Sequence, residues 1–309
     1  IIYHLLKKNN FKVKLGGNIG TPVLNLHVKK DDFLVIEASS FQLSHSKFIH
    51  PRYAILINIT NDHLDWHGSM KAYVESKFKI FNLQTKNDFA LINNNIKKKF
   101  SKKKYLSRLV SINSKGYKAI RSKINNEYLK SSINDENMKF VYSLSNILKI
   151  KKNSFIKSIN SFTGLPHRYE KFLQKKDTQF INDSKATSFQ ATKGALKNDK
   201  NIFWIIGGRP KKNDYFDLKK VKKNIVKSYI IGDNTVFFEK RLKNKIKFTT
   251  VGKLNRAIIK VLKDIKNFKK PNNIILFSPS AASFDQFKNF EDRGNKFKRL
   301  SRNYAKKFF

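Results

Sequence analysis

Cysteine is absent from all 309 residues. That excludes disulfide bridges, thiolate metal sites and a cysteine nucleophile, and it makes a cytosolic location the default expectation. Proline (6) and glycine (12) are scarce, against average usages of roughly 5% and 7%. Acidic residues are few as well: 22 Asp and Glu stand against 65 Lys and Arg, a formal charge of +43. No apolar run approaches the ~20 residues needed to span a bilayer, so membrane insertion is not expected. The apolar part of Ile1–Lys8 is too short to read as a signal peptide. At this length two cores, and so two domains, are expected.

What stands in excess is lysine. Arginine, the residue favoured for bidentate phosphate and base contacts, is several-fold rarer. Lys, Asn, Ile and Phe are abundant together, and their codons are AT-rich; Gly and Pro, whose codons are GC-rich, are depleted. The charge therefore reads mainly as genomic composition acting on tolerant surface positions. A field of this sign attracts polyanions, and a nucleic-acid-binding protein is the competing class. No RNA-binding aromatic motif or zinc module accompanies it, so no specific nucleic-acid partner is expected.

Residue 1 is not Met, and Ile1 to Lys8 reads as the middle of a helix without an N-cap, so the sequence is expected to start inside an element. The pattern predicts a strand over Phe11–Leu15, then a tight loop at Gly16–Gly20 entering a helix near Thr21 and Pro22. Phe33–Ile36 and Tyr53–Ile57 have the β-branched, apolar character of buried parallel strands. A helix is predicted over Met70–Phe81, a strand over Phe89–Ile92, and helices over Asn137–Leu148 and Ser154–Ser161; residues 94–132 give no clear pattern. Further strands are predicted at Phe180-Ile181, Ile202–Ile206, Ser228–Ile231, Phe248–Val251 and Ile274–Phe277, with helices between them. Such alternation argues for α/β architecture with mainly parallel sheets in both halves. The Thr163–Pro166 turn divides the chain into domains 1–163 and 164–309.

Several polar clusters follow predicted strands, where ligands of open α/β sheets bind. Glu37 ends one apolar run, and Asn58, Asp62 and His63 follow the next. Glu37 and His63 can converge as oxygen and imidazole ligands for Mg²⁺ or Mn²⁺ beside phosphate; a satisfied turn histidine is the bland alternative. In Gly164–Glu170, Arg168 offers a planar fork of donors for phosphate or carboxylate. Asp183, Lys185 and Thr187 can hold a ribose hydroxyl, an anion and a second polar group, or Asp183 or Ser184 can simply cap a helix. Lys211 lies past a strand, and Ser278–Asp285 is read as opening a helix whose N-terminus faces an anion. Lys77, in so basic a chain, reads alone as a solvated face residue.

Taken together, GGNIGTP (16–22), EASSFQL (37–43), NITNDHLD (58–65), GLPHRYE (164–170), NDSKAT (182–187) and SPSAASFDQFKNFEDRGNKF (278–297) resemble the Mur ligase family. The last two blocks point to its D-glutamate-adding branch, and no DNPR-type motif of the diaminopimelate- or lysine-adding relatives is present. The resemblance implies an incomplete P-loop-type central ATPase domain with a mainly parallel sheet, followed by a Rossmann-like α/β domain that binds the amino acid. It implies an ATP-dependent amide ligase that joins D-glutamate to UDP-N-acetylmuramoyl-L-alanine through an acyl phosphate, with Mg²⁺ (or Mn²⁺), in the cytoplasm and as a monomer.

The same resemblance assigns residues. Glu37 and His63 match the Mg²⁺-associated pair, and Lys77 the lysine that relatives carry as a carbamate near Mg²⁺, so the resemblance implies all three as catalytic and metal-site residues. Asn18 and Ser39 match positions near the nucleotide-sugar substrate and Mg²⁺, Asn137 an adenine contact, and Arg168 and Asp183 contacts to ATP phosphate and ribose. Thr187, Lys211, Ser283 and Phe290 match the D-glutamate pocket. The chain departs from the family pattern at Ile133, where His is expected, and at Ser188, where Asn is common. It also contains no G-x-x-x-x-G-K-[ST] loop. By analogy that loop and a UDP-binding domain are expected upstream of Ile1, and these 309 residues alone are expected to be inactive. Other enzymes of the superfamily, such as a folylpolyglutamate synthase or the L-alanine-adding ligase, are the alternative, and a decayed product retaining only the fold is a third reading.

Overall fold

Short β-branched runs decide where the strands fall, and most strands pass their chain to a helix. The computed structural model describes all residues except 19, 61, 62, 113, 132, 133, 213 and 269, and the side chain of Lys99. Asp62 and Ile133, singled out in the sequence, lie outside the described residues. Backbone contacts separate a unit of Ile1–Lys130 and Asn134–Phe162 from a second built on Thr163–Phe309.

In the first unit, α1 (Ile2–Lys8) has no side-chain cap. β1 (Val13–Gly17) and β2 (Phe33–Glu37) pair in parallel, with Gly17 beside Glu37 at their carboxyl ends. α2 (Ser40–His45) follows Ser39, whose hydroxyl accepts from the Gln42 N–H while the Gln42 side chain accepts from the Ser39 N–H. This capping box satisfies two donors of a very short helix. β3 (Tyr53–Leu56) leads through α3 (Leu64–His67) and α4 (Met70–Phe78) to β4 (Phe89–Ile92), and α5 (Asn94–Lys102) to β5 (Arg108–Ser111). These three strands form a second parallel sheet. α6 (Ser114–Arg121), α7 (Glu127–Lys130), α8 (Asp135–Ile147) and α9 (Lys152–Asn160) complete the unit. Residues 94–130, unreadable from their composition, thus hold three helices and a strand.

Two expectations need correction here. The helix predicted near Thr21 and Pro22 is only a 3₁₀ turn at Val23–Asn25, behind an extended Pro22. Leu24 is 97% exposed, so this turn has no apolar face to bury, and buried faces are what sustain short helices. The helix predicted to Phe81 stops at Phe78, and Lys79–Phe81 tightens into a 3₁₀ turn that buries Phe81.

The second unit contains β6 (Glu170–Lys175), β7 (Thr178–Asn182), α10 (Phe189–Asn198), β8 (Ile202–Gly207), β9 (Ile225–Ile231), α11 (Thr235–Leu242), β10 (Phe248–Gly252), α12 (Leu254–Lys266), β11 (Asn273–Phe277) and α13 (Phe290–Phe308). The sheet order is β10-β9-β8-β11-β7-β6, parallel throughout except for antiparallel β6 at one edge. From β8 the chain steps outward to β9 and β10, then returns to β11 on the other side of β8. The strand order therefore reverses between β8 and β11, and that crevice is where such sheets take ligands. β8 and β11 are buried along their whole length, as strands covered on both faces must be. The core gathers Phe203, Tyr229, Ile258, Val261, Phe277 and Phe297 among others.

Two further expectations fail. Ser278–Asp285 does not open a helix; α13 starts at Phe290, capped by Asn289, whose Oδ1 accepts from the Asp292 N–H at 2.7 Å. The backbone of the 278–285 loop is committed elsewhere: Ala282 and Arg209 exchange N–H···O bonds of 2.9 Å in both directions. Nor does Asp183 or Ser184 cap a helix, since α10 is capped by Ser188, which accepts from the Ala191 N–H.

Candidate functional site

The candidate residues of the first unit gather around the start of α2. Asn18 follows β1, and its N–H reaches the Glu37 carbonyl at 2.7 Å while its Nδ2 donates to Glu37 Oε1 at 3.2 Å. Glu37 is thereby oriented yet remains exposed. Ser39 is occupied as the cap of α2. His63, held at φ 54, sets its ring edge-on to Phe41, with centroids 4.8 Å apart. Asn18, Glu37, Ser39 and His63 thus border one short helix. Lys77 lies in α4 with Nζ 5.0 Å from the centre of the Tyr73 ring.

Sequence reasoning passed over His67, which occupies the space between α2 and α4. Its Nε2 lies 3.0 Å from Ser40 Oγ and its Nδ1 3.5 Å from Ser76 Oγ. Its ring stacks on Phe41 and tilts against Tyr73. The His67 pKa is lowered, first by burial and then by the charges of His63 and Lys77. Three basic groups therefore share one neighbourhood. The i, i+4 spacing of His63 and His67 is the signal that could have found it.

Asn137 lies in the first turn of α8, where its Nδ2 donates to Asn134 Oδ1 at 3.4 Å. Asn134 is buried and donates in turn to the Tyr128 carbonyl at 3.0 Å. Among the described residues no further partner is bonded to the Asn137 side chain, whose carbonyl oxygen can act as an acceptor. Its neighbour Glu136 accepts from Asn58 at 3.3 Å and from Asn93, tying the carboxyl ends of β3 and β4 to the same turn.

In the second unit three loops leave one end of the sheet, after β7, β8 and β11, because those strands are parallel. Asp183 opens the first loop. Its Oδ1 accepts from the Tyr169 N–H at 3.0 Å and its Oδ2 from the Ser278 hydroxyl at 2.7 Å. Burial pushes the Asp183 carboxyl up to about 6, opposed by the Ser278 hydroxyl, the Tyr169 N–H and the Arg168 charge. The hydroxyls of Ser278, Thr192 and Ser280 continue this network at 2.9 and 2.8 Å. Arg168 is exposed, between His167 at φ 61 and Tyr169 at φ 46. Two departures into the left-handed region flanking one arginine are the kind of local strain that sites retain.

Thr187 closes the first loop, just before the Ser188 cap. Lys211 stands two residues beyond Arg209 and is exposed, while Ser283, next to Ala282, is 2% exposed. The Arg209–Ala282 pairing therefore brings the Lys211 and Ser283 segments side by side. Asp214 accepts from the Phe189 N–H at 2.7 Å, which draws the β8 loop to the start of α10 beside Thr187. Phe290 receives the Ser184 hydroxyl on its carbonyl at 2.9 Å, and Lys185 Nζ lies 5.1 Å from its ring centre. Two open surface depressions of about 360 and 420 Å³, at Met70–Lys103 side chains and at Leu300–Lys307, contain none of these residues.

A family model described as the Mur ligase middle domain matches residues 1–156. The chain is 32% identical to the UDP-N-acetylmuramoylalanine–D-glutamate ligase of Rickettsia felis, over 99% of this chain and 72% of the relative. It is 35% identical to the ligase of the same name from Rickettsia bellii, over 97% and 72%. Among solved structures it is similar in fold to the MurF ligase of Thermotoga maritima in complex with ADP, with a TM-score of 0.70, 15% identity, and coverage of 99% of this chain and 76% of that one.

Proposed function

The chain belongs to the Mur ligase family, and on that footing we propose that it adds D-glutamate to UDP-N-acetylmuramoyl-L-alanine at the expense of ATP, in peptidoglycan precursor synthesis. The observation that carries the acceptor is the meeting of the Thr187, Lys211, Ser283 and Phe290 segments at one end of the six-stranded sheet. An ammonium and two hydroxyls beside an aromatic wall suit an amino acid with two carboxylates, and the two Rickettsia relatives are named for that acceptor.

In this reading residues 1–163 are the central ATPase domain and 164–309 the amino-acid-binding domain. The substrate carboxylate attacks the γ-phosphorus of ATP and ADP departs. The D-glutamate amine then attacks the acyl phosphate carbonyl; the amide forms, phosphate leaves and the amine proton is released. The protein's task is to hold several anions in attacking geometry and to offset their charge. Asn137 accepts from the adenine amino group, Arg168 faces phosphate and Asp183 a ribose hydroxyl. Asn18 and Ser39 face the nucleotide-sugar.

Glu37 and His63 offer one carboxylate and one imidazole, and among the described residues no group of three or more His, Cys, Asp or Glu side chains comes together to hold a metal. So sparse a donor set fits Mg²⁺, which keeps waters and phosphate oxygens in its shell, with Mn²⁺ the alternative. When bound, the ion supplies charge neutralisation at the phosphates. Lys77 as a carbamate adds an anion to a neighbourhood already crowded with the basic groups of His63 and His67. We place the reaction in the cytoplasm and assign it to a monomer; no helix among the described residues is long and apolar enough to cross a membrane.

The test is phosphate release by the intact protein with ATP, Mg²⁺ and UDP-N-acetylmuramoyl-L-alanine, on adding D-glutamate, L-glutamate or L-alanine singly. Release that needs D-glutamate is expected. Turnover with another amino acid, or with a folate acceptor instead, removes the D-glutamate assignment.

A further inference from the structure

One charged side chain in the second unit is buried more deeply than any residue assigned a role above. Arg293, one turn into α13, is 1% exposed. Its Nε donates to Ser184 Oγ at 3.0 Å, and its Nη2 donates to the Ser184 carbonyl at 2.8 Å and to the Ala281 carbonyl at 2.9 Å. Its Nη1 is buried without a hydrogen-bond partner and points at Gly208, where a Cβ would lie 3.1 Å from it and 2.4 Å from the Ala282 carbonyl. Gly208, at φ 132, is therefore the residue that lets the β8 loop close over the guanidinium.

Ser184, Gly208 and Ala281 belong to the three loops that leave the sheet end. Each lies within three residues of a candidate acceptor contact: Ser184 of Thr187, Gly208 of Lys211, Ala281 of Ser283. The fourth, Phe290, precedes Arg293 by one helical turn and is fixed through its carbonyl by the same Ser184. We propose that Arg293 is the positioning residue of the acceptor pocket, a single guanidinium that sets the mutual spacing of all three loops. The proposal rests on the D-glutamate reading only for the identity of the acceptor; the bracing itself does not depend on it.

The chemistry requires arginine. A planar fork can serve two carbonyls and a hydroxyl in different directions at once, whereas an ammonium on a flexible stem holds one point. Leaving carbonyls of buried loops without a donor is costly, so Arg293→Lys is expected to release at least one loop. Burial lowers the guanidinium to about 10, partly offset by Asp285, which keeps it charged at neutral pH. It lies inside the 278–297 block, but nothing there singles it out, since an arginine in a lysine-rich helix reads as surface.

Two measurements on Arg293→Lys and Arg293→Met, in the intact protein, test the idea. The first is amide hydrogen exchange. Segments 184–187, 208–211 and 280–283 are expected to lose at least tenfold protection together, while Asp183 with its bonds to Tyr169 and Ser278, β10 and α11 keep theirs. The second is steady-state kinetics with the amino acid that the wild-type protein accepts. The KM for that acceptor is expected to rise tenfold or more in both variants, with the KM for ATP within about twofold. Were the wild type to use an amino acid other than D-glutamate, the functional reading would fall and the bracing would stand on its own exchange result. Unchanged protection in the three loops with unchanged acceptor KM overturns the proposal. So does a uniform loss of protection across the whole sheet, which would make Arg293 a general stability residue.

Discussion

The first unit sets its candidate residues on the rims of two small sheets, where Asn18 and Glu37 remain exposed. The second sinks Asp183, Ser283 and Arg293 to 6%, 2% and 1% exposure at the end of a six-stranded sheet. Solvated charges cost little to hold and little to move, so under the function proposed above the first site would take its final shape from the anions it holds. Buried polar groups in low dielectric are expensive unless satisfied, and once satisfied they fix geometry in advance. On the proposed reading, one unit suits adaptable handling of phosphate charge and the other a preformed acceptor pocket.

The contrast can be broken most severely at Gly207. It ends β8 at φ 135, and a Cβ there would stand 1.9 Å from the Ile231 carbonyl oxygen. Gly207→Ala is expected to destabilise the second unit by about 5 kcal/mol, through backbone strain and steric overlap, measured as lost exchange protection in β8 and β9. The counterpart in the first unit is Phe81, fully buried among Phe78, Phe100 and Tyr105. Phe81→Ala is expected to cost about 4 kcal/mol by cavity formation, read as lost protection in β4.

A pH experiment sharpens the difference. Asp183 titrates near 6 in the folded protein against 3.8 as its ordinary value. The folded state therefore binds its proton more tightly than the unfolded chain. Its contribution to stability is fully present below the unfolded value and is lost as pH rises through the folded one. Each tenfold difference in proton affinity between the two states is worth about 1.4 kcal/mol. Relative to Asp183→Asn, the wild type should therefore lose about 2 kcal/mol between pH 4 and pH 7. Denaturant melts of both proteins across that range give the difference directly, and a flat difference would contradict the burial argument. The smallest effect belongs to the exposed site. Ser39→Ala, which removes the cap of α2, should cost about 1 kcal/mol, seen as fraying of that helix in amide exchange.

Much of this arrangement is legible in the residues. Runs such as Ile202–Ile206 and Ile274–Phe277 read as buried strands, and both lie in the structure as expected. The helix expected between Ile202–Ile206 and Ser228–Ile231 is, among the described residues, only a 3₁₀ turn at Lys222–Asn224. β6 escaped because Glu170–Lys175 is half charged, as an edge strand with one wet side is free to be. α5 and α6 escaped because lysine-rich faces hide the few apolar positions, Ile96, Phe100, Tyr117 and Ile120, that anchor them. Among site residues, the motif-borne ones could be named from spacing. Nothing within the 278–297 block singles out Arg293, whose role arises from Ser184, 109 residues away, and from the Ala281 carbonyl. His67 carries only its i, i+4 spacing from His63 as a signal, and its partners Ser40 and Ser76 are supplied by the fold.

The antiparallel strand β6 carries one more consequence. It closes the side of the sheet that would otherwise expose β7, and its pairing slips by a bulge between Lys171 and Leu173. An incoming strand needs an even ladder of N–H and C=O groups and a neutral approach. This border offers a broken ladder, with lysines at 171, 175 and 176 repelling any copy of the same basic chain. The feature that ends the sheet also guards it against extension into aggregates at high protein concentration.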